Sequence, residues 1–418
     1  MKIMEITGGN TLTGSIRVSG AKNSSVALIP AAILSDGEVT ICNVPEITDT
    51  DALAEILDFL GAKVSRASES ILIDSKTIEN KTIPEKISSK LRASYYFMGA
   101  LLGKYKHVEM YFPGGCSIGA RPINLHLKGF EALGAKVIED NDRYIIDADE
   151  LVGTNIYLDF ASVGATINIM LAAVKAKGVT MIENAAKEPE IVNVATFLNN
   201  MGARISGAGT SIIRIEGVNK LNGCFHEVIP DRIEAGTYTI MASLLGKQLK
   251  IDNIIPKHLE ALTSKLIEMG IKLEIGSDYL IVSKPERYKP VNVKTQVFPG
   301  FPTDLQQPFT ILLTQCNGVS HLEETIYENR FMHIPELEKM GANIQVLDKR
   351  NIDIKGPSKF IASEVKATDL RAGAALVLAA LSAEGKSTIH NIEHILRGYE
   401  DIVEKLTSVG AKIEIKEI

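Results

Sequence analysis

The segment Leu60-Gly-Ala-Lys-Val64 recurs, with small changes, six times along the 418 residues of this chain. The other copies are Leu133-Gly-Ala-Lys-Val137, Met201-Gly-Ala-Arg-Ile205, Met269-Gly-Ile-Lys-Leu273, Met340-Gly-Ala-Asn-Ile344 and Val409-Gly-Ala-Lys-Ile413. Their glycines, at positions 61, 134, 202, 270, 341 and 410, are 73, 68, 68, 71 and 69 residues apart. A period this regular indicates a protein built from repeated supersecondary units.

An amphipathic helix is predicted immediately before each copy. In the first repeat, Leu53, Ile56, Leu57 and Leu60 follow the spacing i, i+3, i+4 and i+7, which places them on one helix face. The glycine then stands just after the helix, where a left-handed backbone is needed. One or two strands are predicted to follow it, and another strand to precede the helix.

A second, more apolar helix is predicted earlier in each repeat. The six candidates cover roughly residues 23–35, 91–103, 162–176, 233–245, 304–316 and 369–383. Apolar residues occupy most of their surface, which indicates burial. The predicted fold class is therefore α/β, with six βαβ-type repeats, three in each of two domains.

The domain boundaries are predicted from the repeats. Residues 20–229 contain three repeats, and residues 1–19 plus 230–418 contain the other three. We expect residues 2–19 to form a hairpin that completes the second domain, because the sixth repeat ends after one strand. The chain would then cross between domains near Gly20 and Pro230, with a ligand cleft between the two domains.

Composition limits the possible classes of function. The net charge of -6 argues against a nucleic-acid partner. The four cysteines contain no CxxC pair, so neither a zinc site nor a disulfide framework is predicted, and a cytoplasmic location is expected. No signal peptide begins the chain, and the longest apolar run, 372–383, is too short to span a membrane. We expect no metal and no cofactor, and the oligomeric state stays open.

The segment Pro113-Gly-Gly-Cys-Ser-Ile-Gly-Ala-Arg-Pro122 is the strongest local candidate for chemistry. Its glycines allow a sharply bent loop. Cys116 can transfer a proton or act as a nucleophile, and Arg121 can bind a phosphate or carboxylate. These features predict an active-site lid, and the alternative is a glycine-rich turn around a buried cysteine.

Charged and polar residues are concentrated at the starts of the six apolar helices, where free N–H groups favour bound anions. If the repeats are arranged alike, a cationic pocket for a small polyanion is expected from Lys22, Arg92, Arg121, Arg371 and Arg397. Asp304 and Asp369 are alternatively explained as helix N-caps. Four of the eight histidines, at positions 126, 321, 333 and 394, show no metal-ligand spacing.

The repeats and the cysteine loop together resemble the enolpyruvyl transferases over essentially the whole chain. The resemblance is carried by the Pro113–Pro122 loop and by Ser19–Asn23, Leu91–Ser94, Ser162–Thr166, Glu183–Ala186, Glu188–Glu190, Pro230–Glu234, Phe301–Asp304, Glu328–Met332, Ala367–Arg371 and Arg397–Tyr399. It implies a two-domain inside-out α/β barrel, with helices inside and sheets outside. It also implies transfer of enolpyruvate from phosphoenolpyruvate to the 3-hydroxyl of UDP-N-acetylglucosamine, with release of phosphate, as the first committed step of peptidoglycan synthesis.

The resemblance further implies a role for each matching residue. Cys116 would be the general acid and can form a covalent adduct, and Asp304, Lys22 and Arg397 would also be catalytic. Phosphoenolpyruvate would be bound by Lys22, Asn23, Arg121, Arg330, Arg371 and Arg397. The sugar nucleotide would contact Arg92, Arg121, Pro122, Ile123, Asn124, Leu125, Ser162, Val163, Gly164, Asp304 and Ile326. The family usually has Asp at position 124, so the contact of Asn124 with uracil is left open.

Two other functions are compatible with a chain of repeated units. The shikimate-pathway enolpyruvyl transferase has the same six repeats but lacks the cysteine loop, which favours the sugar-nucleotide enzyme here. A DNA sliding clamp is also built from repeated units around a ring, but it would need basic residues on its inner helices. The corresponding helices of this chain are apolar. A small phosphonate epoxide such as fosfomycin is expected to alkylate Cys116, because Lys22, Arg121 and Arg397 would draw its phosphonate group near the thiol.

Overall fold

The computed structural model describes residues 2–114 and 123–417. Contacts divide these residues into two compact units. The first unit consists of residues 20–114 and 123–229, and the second consists of residues 2–19 and 230–417. Each unit encloses its own cluster of buried apolar side chains. Cys116, Arg121 and Pro122 lie outside the described residues.

The first two strands of the chain, β1 (Lys2–Gly8) and β2 (Ser15–Arg17), belong to the second unit. The helices of the first unit are α1 (Lys22–Ala31), α2 (Thr48–Phe59), α3 (Glu85–Ser88), α4 (Tyr96–Tyr105), α5 (Asn124–Ala132), α6 (Val163–Ala173) and α7 (Pro189–Asn200), with 3-10 turns at Ala32–Leu34 and Arg92–Tyr95. Its strands are β3 (Glu38–Cys42), β4 (Lys63–Ala67), β5 (Ser70–Asp74), β6 (His107–Tyr111), β7 (Lys136–Asp140), β8 (Arg143–Asp147), β9 (Asn155–Tyr157), β10 (Val179–Glu183), β11 (Arg204–Ser206), β12 (Ile212–Glu216) and β13 (Phe225–Glu227).

The second unit repeats this pattern. Its helices are α8 (Arg232–Leu245), α9 (Glu260–Glu268), α10 (Thr303–Leu313), α11 (Ile334–Lys339), α12 (Leu370–Ser382), α13 (Glu393–Leu396) and α14 (Ile402–Ser408), with a 3-10 turn at Pro256–Leu259. Its remaining strands are β14 (Leu249–Asp252), β15 (Lys272–Ile275), β16 (Tyr279–Ser283), β17 (Val293–Lys294), β18 (Gly318–Glu323), β19 (Ile344–Val346), β20 (Asn351–Gly356), β21 (Glu364–Lys366), β22 (Gly385–His390) and β23 (Lys412–Glu417).

The strands of the described residues form six small sheets, three in each unit. The first unit has the strand orders β13-β3-β5-β4, β6-β8-β7 and β11-β12-β10-β9. The second unit has the orders β15-β16-β14-β2, β17-β18-β20-β19 and β21-β22-β1-β23. Almost every residue of α1, α4, α6, α8, α10 and α12 is buried, which confirms the six predicted apolar helices.

The predicted N-terminal hairpin is wrong. β1 pairs antiparallel with both β22 and β23, and β2 pairs parallel with β14 in a different sheet. The connection between them is held by Leu12, whose backbone N–H donates to the Leu245 carbonyl at 3.0 Å. An isolated two-stranded hairpin is only marginally stable. As members of two separate four-stranded sheets, β1 and β2 gain more pairing and more burial than they would from each other.

The six repeat glycines all adopt the left-handed backbone that the sequence predicts. Their φ angles lie between 92° and 105°. We expect Gly270→Ala to lower the free energy of unfolding by roughly 1–2 kcal/mol, because a side chain disfavours this backbone. At Gly270, an added Cβ would find its nearest heavy atom 4.0 Å away, so backbone strain alone is tested.

Gly270→Asn is the matched control, because asparagine tolerates the left-handed region better than alanine. Thermal unfolding should place Asn between glycine and alanine. An alanine variant as stable as the wild type would contradict the role of this glycine.

No helix among the described residues is long and apolar enough to cross a membrane.

Candidate active site

In the second unit, two arginines hold the carboxylate of Asp304. Arg330 Nη2 lies 2.8 Å from Asp304 Oδ1, and Arg371 Nη2 and Nε lie 3.1 Å and 3.3 Å from Oδ2. The two guanidinium groups are almost fully buried, whereas the Asp304 side chain is 27% exposed. The structure therefore brings together three of the predicted site residues, with the carboxylate towards solvent and the cations behind it.

The helix starts explain how these side chains are placed. Asp304 is the second residue of α10, whose N-cap is Pro302, so the N-cap alternative for Asp304 is wrong. Its carboxylate contacts the arginines instead, because each guanidinium offers a charge-assisted bond. Asp369 does cap α12 and accepts from the backbone N–H groups of Arg371 and Ala372. This cap fixes the backbone from which Arg371 projects.

Two buried side chains that the sequence did not single out complete this cluster. The Gln307 amide donates to the Arg330 carbonyl and to Asp369 Oδ2, both at 3.2 Å. The Tyr399 hydroxyl accepts from Arg371 Nη1 at 3.2 Å. Two sequence signals could have identified them. Gln307 is a polar residue within an otherwise apolar helix, and Tyr399 ends the Arg397–Tyr399 motif, which had no role assigned to its tyrosine.

The other two predicted residues of the second unit are close to this ion-pair cluster in sequence, Arg397 near Tyr399 and Ile326 near Arg330. Arg397 is half-buried and ends the short helix α13. Ile326 follows β18, and its backbone N–H donates to Glu324 Oε1 at 2.8 Å. Glu324 is fully buried, so it holds the backbone of this segment in one conformation.

In the first unit, Lys22 forms an ion pair at the start of α1. Its Nζ lies 2.8 Å from Asp49 Oδ2, and both side chains are largely buried. Asp49 lies near the start of α2 and was not singled out from the sequence. Asn23, the next residue of α1, is half-buried. The ammonium group of Lys22 is therefore held at a helix N-terminus, a place that favours bound anions.

A second cluster of the first unit surrounds Gly164. An added Cβ at Gly164 would lie 2.9 Å from the Tyr95 hydroxyl and 2.9 Å from His126 Cε1, so only glycine fits. Ser162 caps α6 by accepting from the Ala165 N–H at 3.3 Å, and Val163 begins the helix. Asn168 Nδ2 lies 2.8 Å from His126 Nδ1, which makes that nitrogen the acceptor of a neutral imidazole.

The other predicted sugar-nucleotide residues lie near this second cluster in sequence. Arg92 begins the 3-10 turn before α4 and is close enough to His126 to influence its pKa. Ile123 is the N-cap of α5, and exposed Asn124 and half-buried Leu125 follow it. Cys116, Arg121 and Pro122 keep only their roles predicted from sequence. Among the described residues, no His, Cys, Asp and Glu side chains form a group that could hold a metal ion.

Burial of histidines predicts loss of stability in mild acid. Burial, with a smaller contribution from Arg92, lowers the pKa of His126 to about 3, and burial lowers the pKa of His226 and His333 to about 4. Because their unfolded pKa is near 6.5, the unfolded chain binds more protons below that pH. The stability is therefore complete above pH 6.5 and falls as the pH drops towards the folded values.

For His126 this loss is roughly 2 kcal/mol at pH 5, about 1.5 pH units below the unfolded pKa. We expect the melting temperature to fall between pH 7 and pH 5, and to fall less in His126→Gln. The comparison is made by calorimetry at constant ionic strength. A wild-type melting temperature that is unchanged over this range would contradict the predicted proton uptake.

Comparison with known proteins now defines the class. A family model described as EPSP synthase (3-phosphoshikimate 1-carboxyvinyltransferase) matches residues 6–406. The enolpyruvyl transferase NikO from Streptomyces tendae has a crystal structure similar to this one, with a TM-score of 0.91, 27% identity and 99% of each chain covered. The chain belongs to the enolpyruvyl transferase family, which confirms the predicted fold class and sets aside the sliding clamp.

Relatives with higher sequence identity than NikO are named for a particular enzyme of this family. A protein of Geobacillus kaustophilus (strain HTA426), named UDP-N-acetylglucosamine 1-carboxyvinyltransferase 2, is 54% identical over 413 residues, 99% of this chain and 96% of the relative. A protein of the same name from Listeria monocytogenes (serovar 1/2a, strain ATCC BAA-679 / EGD-e) is 54% identical over 408 residues, 98% of this chain and 96% of its own length. An EPSP synthase from Acinetobacter baumannii shares the fold, with a TM-score of 0.76 and 18% identity over the full length of both chains.

Proposed function

We propose that this protein is a UDP-N-acetylglucosamine 1-carboxyvinyltransferase. It transfers enolpyruvate from phosphoenolpyruvate to the 3-hydroxyl of UDP-N-acetylglucosamine and releases phosphate, the first committed step of peptidoglycan synthesis. The observation that carries the proposal is 54% identity, over almost the whole chain, to relatives of that name. The free thiols of Cys42, Cys224 and Cys316 support a reaction in the reducing cytoplasm.

Binding of phosphoenolpyruvate is assigned to cationic and polar side chains. Lys22, Asn23, Arg121 and Arg397 hold the phosphate side, and Arg330 and Arg371 hold the carboxylate. Support for the second pair comes from the structure, where these two buried guanidinium groups already bind a carboxylate, that of Asp304. Planar guanidinium groups suit planar carboxylates, so the same donors fit the substrate.

The sugar nucleotide is assigned to two kinds of contact. Arg92, the Arg121–Leu125 segment and the Ser162–Gly164 turn bind the nucleotide side, and Asp304 and Ile326 lie towards the sugar. Support for this assignment comes from the start of α6, where Ser162 caps the helix and its N-terminal end favours a bound anion. Asn124, where the family usually has aspartate, keeps a hydrogen-bonding side chain but no negative charge.

The chemistry explains the residue types. Attack of the sugar oxygen on C2 of phosphoenolpyruvate forms a C–O bond while C3 takes the thiol proton of Cys116. Asp304 takes the proton of the hydroxyl group. The tetrahedral adduct keeps its phosphate and carboxylate, and the cations stabilise both charges. Elimination reverses both transfers: the Cys116 thiolate takes a proton from C3, Asp304 gives its proton to the departing phosphate, and breaking the C2–O bond to phosphate regenerates the double bond.

In the structure, the Asp304 carboxylate is bound by Arg330 and Arg371, so its lone pairs are engaged by two cations. A carboxylate in that state is a poor base, because neighbouring positive charges favour its ionised form. Phosphoenolpyruvate offers the arginines a second carboxylate. We propose that this exchange releases Asp304 to accept the proton, so that the base is freed when the donor substrate is bound.

Acceptor specificity tests the proposed function. Phosphate release from phosphoenolpyruvate should require UDP-N-acetylglucosamine and should not be supported by shikimate 3-phosphate. The shikimate compound is the informative control because the matching family model carries that activity in its description. Phosphate release with shikimate 3-phosphate, and none with the sugar nucleotide, would overturn the assignment.

A further inference from the structure

The hydroxyl group of Tyr399 lies between Arg371 and a threonine of another helix. Tyr399 is 1% exposed, and its Oη lies 3.2 Å from Arg371 Nη1 and 2.9 Å from Thr237 Oγ1. Thr237 lies in α8, 162 residues earlier in the chain. Three separate elements, α8, α12 and the segment after α13, therefore meet at one phenol oxygen.

The hydrogen bonds of Thr237 decide the direction of the Tyr399 proton. The Thr237 hydroxyl donates to the Ile233 carbonyl at 2.9 Å, one turn back along α8. Its single proton is then used, so towards Tyr399 it can only accept. The phenol must donate to Thr237 and turn a lone pair towards Arg371. Burial raises the pKa of Tyr399, so the phenol keeps this proton at neutral pH.

These contacts leave the guanidinium group of Arg371 one orientation. Nη1 donates to Tyr399, while Nε and Nη2 point at the carboxylate of Asp304. The side chain is 5% exposed, so water cannot replace either partner readily. Rotation of the guanidinium group would leave Nη1–H without an acceptor in a buried place, which is unfavourable.

We propose that Tyr399 is a positioning residue that orients Arg371 towards the substrate carboxylate. The inference rests on the proposed function in one respect, the assignment of Arg371 to phosphoenolpyruvate. Tyr399 itself does not touch the substrate. Thr237 serves as the anchor that sets the direction of the phenol proton, and Arg371 transmits the orientation to the carboxylate.

Tyr399→Phe removes the acceptor and keeps the ring. We expect kcat/KM for phosphoenolpyruvate to fall about tenfold to a hundredfold, the range for a lost hydrogen bond to a charged group. KM for UDP-N-acetylglucosamine should change little. Tyr238→Phe is the matched control, because Tyr238 is a fully buried tyrosine whose ring centroid lies 6.5 Å from that of Tyr399 but whose hydroxyl lies beside Glu234.

The same exchange in an Arg371→Lys background separates positioning from a general packing effect. Lysine lacks the planar fork, so Tyr399 has no orientation left to impose. If Tyr399 acts through Arg371, Tyr399→Phe should cost little further activity in this background. An equal fold-loss in both backgrounds would overturn the inference, since independent effects multiply.

A measurement without substrate completes the test. The Nε–H signal of Arg371, assigned by its loss in Arg371→Lys, should show slow guanidinium rotation in the wild type and in Tyr238→Phe. Faster rotation in Tyr399→Phe supports the inference, and unchanged rotation overturns it. If the wild type releases no phosphate but this NMR difference is present, the proposed function fails while the positioning of Arg371 by Tyr399 stands.

Discussion

Asp304→Asn is expected to lower kcat by about 10²–10⁴-fold, the range for a positioned acid or base. Asparagine keeps the shape of the side chain and loses the ability to take the hydroxyl proton. Because the exchange also removes the carboxylate that competes for Arg330 and Arg371, KM for phosphoenolpyruvate should stay the same or fall. This separation of kcat from KM is specific to a base that is released by its substrate.

Steady-state kinetics with both substrates checks the result. Asp140→Asn is the matched control, because Asp140 also pairs with an arginine, Arg143 at 2.8 Å, but at an exposed place in the first unit. Since Asp304→Asn leaves two buried cations without their carboxylate, circular dichroism and thermal unfolding must first show a folded variant. Near-normal kcat in a folded Asp304→Asn protein would remove Asp304 from the mechanism.

Treatment with a small phosphonate epoxide is expected to inactivate the enzyme by alkylating Cys116. The phosphonate resembles the phosphate of phosphoenolpyruvate, so Lys22, Arg121 and Arg397 should bind it near the thiol and raise the effective concentration. Neighbouring cations also ease loss of the thiol proton, which both proton donation and alkylation require. Inactivation should be faster with UDP-N-acetylglucosamine present, and Cys116→Asp should resist alkylation while keeping some activity, because a carboxylic acid can still donate a proton.

The other cysteines serve as internal controls. Burial raises the pKa of Cys224 and of Cys316 to about 11, so very little thiolate is present at pH 7. Cys42 is half-buried in β3, and its sulfur accepts from Ser70 Oγ at 3.2 Å. Peptide mass mapping should find the label on Cys116. Preferential label on any of these three, or no acceleration by the sugar nucleotide, would contradict the role predicted for the Cys116 loop.

Local periodicity predicted much of the fold. The six repeat glycines and the six apolar helices depend on interactions between residues close in sequence, so their pattern is visible in the sequence. Gly61, directly after the Leu60 C-cap of α2, is one example. β1 and β2 both lie within residues 2–19, which were predicted to form strands. Their partners were not predicted, because β1 pairs with strands more than 370 residues away, and no local pattern distinguishes that pairing from a hairpin.

The candidate site shows the same division. Asp304, Arg330 and Arg371 were named from the sequence by resemblance, but their mutual ion pairs were not predicted. The pairing of Asp49 with Lys22 and of Tyr399 with Arg371 depends on how separate segments of the chain pack. The sequence around Asp49 and Tyr399 does not indicate that either contacts a cation. The tertiary contact identifies Lys22 as the partner of Asp49 and Arg371 as the partner of Tyr399.

Transfer of the bridging oxygen of phosphoenolpyruvate tests the proposed reaction most directly. When the oxygen that joins C2 to phosphorus is ¹⁸O, addition and elimination at C2 break the bond between C2 and this oxygen. The label must then appear in the released phosphate. The sugar nucleotide should gain an enol ether at its 3-oxygen, detected by NMR and mass spectrometry. Label retained in pyruvate, with an unchanged sugar nucleotide, would show attack of water on phosphorus and would contradict the assignment of this protein as an enolpyruvyl transferase acting on UDP-N-acetylglucosamine.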